Sequence, residues 1–141
     1  MRVFFLGIFF LIAGCATGDA NLSDVNYSLG EIKQVINSVV GDPRSQSQNQ
    51  RTYFSQYFGL KGDKKFDPDK SKKRLYAKIT ILGDRRPYDI AVDVFIEQKN
   101  GPQYEEIGTD PAKAEKFAKE IEDRLHKGIE NRNVIDDFRA F

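Results

Sequence analysis

An α+β domain is what this sequence predicts: a small antiparallel sheet, made of a hairpin and a short third strand, covered on one face by two amphipathic helices. Two observations lead there. Residues 74–81 and 89–97 alternate apolar and polar side chains with period two, the pattern of strands with one buried face. Residues 29–40 and 111–129 instead repeat apolar side chains at helical spacing behind recognisable start signals. A chain of 141 residues with 40% hydrophobic and 30% charged residues suits one such domain better than a disordered chain.

The first helix is predicted over 29–40. Ser28 and Glu31 have the spacing of a capping box, and Tyr27 and Ile32 that of the hydrophobic staple beside it. Leu29, Ile32, Val35, Ile36, Val39 and Val40 form one stripe, which Gly41 and Pro43 end. Residues 42–52, with their Ser-Gln-Ser-Gln-Asn-Gln tract, read as a polar loop. Tyr53, Phe54, Tyr57 and Phe58 would form an aromatic ridge on a short helix, serving either as a surface for a partner or as a core patch beneath the loop.

Residues 59–73 read as a charged loop. In the strands that follow, Leu75, Ala77, Ile79 and Ile81 form one apolar face, and Ile90, Val92, Val94 and Ile96 the other. Gly83 to Pro87 connect them as a tight turn. Asn100-Gly101-Pro102 marks a second turn, and Gln103 to Ile107 supply the short third strand. Asp110 is placed as the N-cap of the second helix and Pro111 as its first residue. Its stripe is Ala114, Phe117, Ala118, Ile121, Leu125 and Ile129, and Glu115–Lys119, Glu120–Arg124 and Asp123–Lys127 are spaced for ion pairs on the opposite, solvent-facing side. The tail ends in Phe138 and Phe141, which either dock on the domain, the favoured reading, or act as a recognition peptide.

The amino terminus carries a different signal. Arg2 precedes an apolar run from Val3 to Ala13, which as a helix would span about 16 Å, roughly half the hydrocarbon thickness of a bilayer. That length fits a secretory leader and falls short of a membrane span. Ile12-Ala13-Gly14-Cys15 resembles the lipobox of bacterial lipoproteins. The resemblance implies cleavage between Gly14 and Cys15 and lipid on the Cys15 thiol. Ala16, where an aspartate would signal inner-membrane retention, implies transfer to the outer membrane. Two or three acyl chains anchor durably where one does not. The expected organisation is a signal peptide over 1–14, lipidated cysteine and flexible tether over 15–26, and a single periplasm-facing domain over 27–141.

Charge and residue types narrow the function classes. Loss of residues 1–14 takes Arg2 from the 22 bases and nothing from the 21 acids, leaving a neutral chain with no net pull on nucleic acid. Basic residues gather in 61–74, where Lys72, Lys73 and Arg74, joined by Arg85 and Arg86, are candidates for contacting lipid headgroups or lipopolysaccharide phosphates. Cys15 is the only cysteine and His126 the only histidine, so a zinc site of usual composition is not expected, nor any other metal or cofactor. No Gly-x-Ser-x-Gly elbow or phosphate-cradling glycine loop occurs. Asp67-Pro68-Asp69 begins like a calcium loop, but Lys72 stands where that loop needs glycine and Lys78 where it needs glutamate. The expectation is a non-catalytic envelope lipoprotein that binds another envelope protein through Tyr53, Phe54, Tyr57, Phe58, Phe138 and Phe141. Lipid binding by the basic loop is the alternative, and a carboxylate-based cell-wall enzyme comes third.

Overall fold

A computed structural model describes residues 18–61 and 65–138, without the side chains of 129–138. In chain order the elements are β1 (Ala20–Val25), α1 (Leu29–Val40), β2 (Ser45–Gln46), β3 (Thr52–Phe54), β4 (Lys73–Leu82), β5 (Tyr88–Asn100), β6 (Gln103–Thr109) and α2 (Pro111–Phe138). The sheet is antiparallel throughout. Its order is β1-β5-β4-β3-β2, and β6 pairs with the same long β5. Both helices pack against one face, so the α+β prediction holds with three strands more than the sequence indicated.

The two central strands follow from their alternation. β4 and β5 pair over ten residues from Lys73–Gln98 to Leu82–Asp89, which sets Leu75 opposite Ile96, Ala77 opposite Val94, Ile79 opposite Val92 and Ile81 opposite Ile90. Seven of these eight side chains are buried, and Ile96 packs against them. From above, α1 contributes Ile32 and Ile36, and α2 contributes Ala114, Ala118, Ile121 and Leu125. The two alanines let α2 lie close to the sheet. Gly101, at φ 60°, takes the left-handed conformation in the β5–β6 turn that a β-carbon would disfavour.

Local signals formed as expected at both helix starts. The Ser28 hydroxyl accepts from the Glu31 amide at 3.3 Å, and Glu31 accepts from the Ser28 amide at 2.7 Å. The Asp110 carboxylate accepts from the Lys113 amide at 3.1 Å and pairs with the Lys113 ammonium at 3.0 Å. These contacts hold the Asp110 carboxyl below the usual carboxylate range. Helix α2 runs nine residues past the predicted end, to Phe138. Whether the tail docks is a matter of side chains outside the described residues.

Three expectations are corrected. Residues 20–25, assigned to a flexible tether, form an edge strand: Ala20 lies opposite Val92 and Leu22 opposite Ile90. The upper half of β5 would otherwise present unpaired backbone groups, and Asp93 and Asp89 fasten the segment further by accepting from the Asp19 and Asp24 amides. The aromatic segment, imagined on a short helix, is instead extended. β3 pairs with β4 through Tyr53–Ile79, and Phe58 forms an isolated bridge with Leu75. The polar loop at 42–52 also holds a two-residue strand, β2, against β3.

Candidate binding face

An extended backbone sends neighbouring side chains to opposite sides, and this divides the expected ridge. Tyr53 points inward, is 1% exposed, and donates its hydroxyl hydrogen to the Gln50 carbonyl at 3.0 Å. Burial raises its phenol above the usual range. Phe58 also faces the helices, its ring 5.9 Å from that of Phe117, and lines a groove between α2 and residues 58–61. Phe54 and Tyr57 face the other way. Their ring centroids lie 6.3 and 5.9 Å from that of Tyr76, which in turn stacks on Phe95 at 5.2 Å.

The outer side of the sheet is thus paved with rings. Across β4 and β5 its rows are Arg74–Glu97, Tyr76–Phe95, Lys78–Asp93 and Thr80–Ala91. Both helices lie on the opposite side.

Two arginines lie on these rings with opposite fates. The Arg74 guanidinium is sandwiched 3.7 Å from the Tyr57 ring and 3.6 Å from the Tyr104 ring. It pairs with Glu97 at 2.6 Å and reaches Asp69 at 3.7 Å, so its charge is already neutralised. With only 12% of its side chain exposed, Arg74 holds the face together and has little left for an outside anion. Tyr104 completes this brace with its hydroxyl 2.7 Å from both the Pro68 and Ser71 carbonyls, which share its one donor hydrogen.

Arg44 is the free counterpart. Its backbone amide donates to the Phe54 carbonyl at 2.8 Å, which fixes the residue beside β3. Its exposed guanidinium donates to the Tyr57 hydroxyl and lies 4.2 Å from the Tyr57 ring and 5.2 Å from the Tyr76 ring. It makes no ion pair among the described residues. At the other end of the face, Glu106 and Glu97 stand near Tyr76. Burial first, and these two negative charges next, push the Tyr76 phenol above its usual range.

The remaining sites expected from the sequence are dispersed. Lys72 and Lys73 are exposed at the start of β4, whereas Arg85 and Arg86 are exposed in the turn beyond its end. Nine residues of strand, about 30 Å, separate the two pairs, so they do not form one anion site. Gly14, Cys15 and Phe141 lie outside the described residues, as does the side chain of Phe138. No group of three His, Cys, Asp or Glu side chains able to hold a metal occurs among the described residues. No helix among them is long and apolar enough to cross a membrane.

Sequence reasoning missed Arg44, Tyr76, Phe95 and Tyr104. A signal for two of them was present: Tyr76 and Phe95 occupy the nominally polar positions of the period-two pattern, where a solvated face has no need of large rings. Arg44 carried none, since its placement depends on the pairing of β2 with β3. The chain matches no family model, no curated protein and no solved structure.

Proposed function

We propose that this chain is a lipid-anchored, non-catalytic protein of the bacterial outer membrane whose folded domain binds another envelope protein through the outer face of its sheet. The observation that carries the reading is the half-buried aromatic row Phe54–Tyr57–Tyr76–Phe95 on the face of the sheet that neither helix covers. Contiguous apolar surface of this kind on a small domain commonly marks an interface, and tyrosine and arginine are the residues interfaces favour. The leader and lipobox at residues 1–15 support placement at a membrane outside the cytosol.

The test has two arms. Cys15→Ser should abolish incorporation of labelled palmitate and leave an uncleaved or soluble product; palmitate in that variant would refute the anchor. A photo-crosslinker at Tyr76 should then capture one protein partner stoichiometrically in intact membranes, while the same group at exposed Gln34 on α1 should not. Equal capture from both positions would remove the face from the proposal.

A second reading, binding of lipid or lipopolysaccharide, draws on exposed Lys72 and Lys73 beside Leu60 and Phe66 in a shallow hollow. Commitment of Arg74 to Glu97 weakens the basic cluster on which it depends. Charge reversal at Lys72 and Lys73 that stripped copurified lipid would favour this second reading over the first.

A further inference from the structure

The outer face is bipolar as well as aromatic. Arg44 lies beside β3 and Glu106 on β6, while between them Lys78 stands opposite Asp93 and Arg74 is paired with Glu97. Arg44 and Glu106 are both exposed, and neither makes an ion pair among the described residues. Between them stand the stacked rings of Tyr76 and Phe95. The Arg44 guanidinium lies over the Tyr57 and Tyr76 rings, between the β3 and β4 columns, and Glu106 is two to three strands away on β6. At about 4.8 Å per strand that separation is roughly 10 to 14 Å.

We propose that this face takes a protein segment carrying a carboxylate, an aromatic ring and a base in that order, with the carboxylate on Arg44, the ring on Tyr76 and Phe95, and the base toward Glu106. The proposal rests on the protein-binding reading above and names the chemistry of the partner. Three observations favour such a segment over an anionic lipid surface. A membrane of one sign would attract the Arg44 end and be repelled by the exposed Glu106 carboxylate at the other. The Tyr76 and Phe95 rings, stacked at 26° on adjacent strands, offer a side chain laid across the strands a continuous aromatic contact. The guanidinium is also preorganised by two rings, a tyrosine hydroxyl and the backbone bond of its own residue, so little freedom is lost when it meets a carboxylate. In an extended peptide, residues at positions one, three and five share a face and span about 13 Å, close to the separation of the two charges.

A suitable probe is the capped peptide Asp-Ser-Phe-Ser-Lys, titrated into the full-length protein in detergent while the Tyr76 and Phe95 ring resonances are followed. A charge-assisted bond of this kind predicts that replacing the peptide's Asp with Asn weakens binding by roughly tenfold or more. Arg44→Gln should erase that difference, Arg44→Lys should restore part of it, and Arg86→Gln in the distant turn should leave it intact. Equal affinity of the Asp and Asn peptides, persistence of the gap in Arg44→Gln, or no ring shift at any peptide concentration overturns the proposal. So does Arg44-dependent binding of phosphatidylglycerol vesicles without peptide binding. The two levels of inference separate cleanly. Crosslinks at Tyr76 that survive Arg44→Gln sink this proposal alone, whereas absence of any protein crosslink at the face sinks the reading beneath it as well.

Discussion

Asp110 shows how one side chain can tie a helix start to pH. Its carboxylate caps α2 through the Lys113 amide and holds the Lys113 ammonium, and both contacts lower its folded pKa. A lowered carboxylate pKa contributes stability above the unfolded value, and that contribution is lost as pH falls through the folded value. Asp110→Ala should therefore cost about 1 kcal/mol at neutral pH, with the gap from the parent protein narrowing below roughly pH 4. Urea unfolding across pH measures both. An unchanged gap at low pH would show that the charge does not matter. This cap, like the Ser28–Glu31 box, was legible because donor and acceptor lie within three residues of each other. Tyr76 and Arg44 were not, because their meeting requires two strand pairings that only the folded sheet supplies. Tyr53 and Phe54 make the same point. Neighbours in sequence, they ended on opposite faces once the backbone was extended rather than helical.

At the level of elements, amphipathic segments announced themselves and the short edge strands did not. β4 and β5 each bury a full alternating face, and α1 and α2 each bury a stripe, so periodicity located all four. β1 is different. Its Asn21, Ser23 and Asp24 are weak strand formers, and its order comes from the unpaired edge of β5 and from Asp89 and Asp93. The two readings of this segment make opposite predictions. Leu22 packs partly against the core opposite Ile90, so Leu22→Asp should destabilise the domain by about 2 kcal/mol. Ser23→Asp, on the exposed side, should stay within about 0.5 kcal/mol. A flexible tether would tolerate both alike. Equal denaturation midpoints for the two variants would return residues 20–25 to that role.

For the molecule as a whole, the early start of order matters more than any single contact. Gly18 already lies against β5, close enough that a β-carbon there would come within 3.0 Å of Asp93. If Cys15 carries the lipid, three peptide steps separate it from Gly18, a reach of about 11 Å at full extension. The β1 edge is then confined near the headgroups, and with it the part of α2 around Glu115, which shares a hollow with Asp19 and Ala20. β2 is four strands away across the sheet, about 19 Å further out. With Cys15 lipidated, we infer that the sheet would stand on its β1 edge, which would turn the aromatic outer face toward the aqueous space instead of laying it on lipid. A surface so presented can be approached by another protein, whereas one held flat on the bilayer would meet lipid first. The arrangement can be read with fluorophores at Glu115→Cys and Gln48→Cys in vesicles bearing the lipidated protein and a headgroup quencher. Quenching should be markedly stronger at 115 than at 48, and a flexible insert of ten or more residues between Ala16 and Gly18 should reduce the difference while palmitate incorporation persists. Comparable quenching at both positions before any insertion would mean the domain does not stand on its β1 edge, and would take away the geometric reason for assigning the outer face to a protein partner.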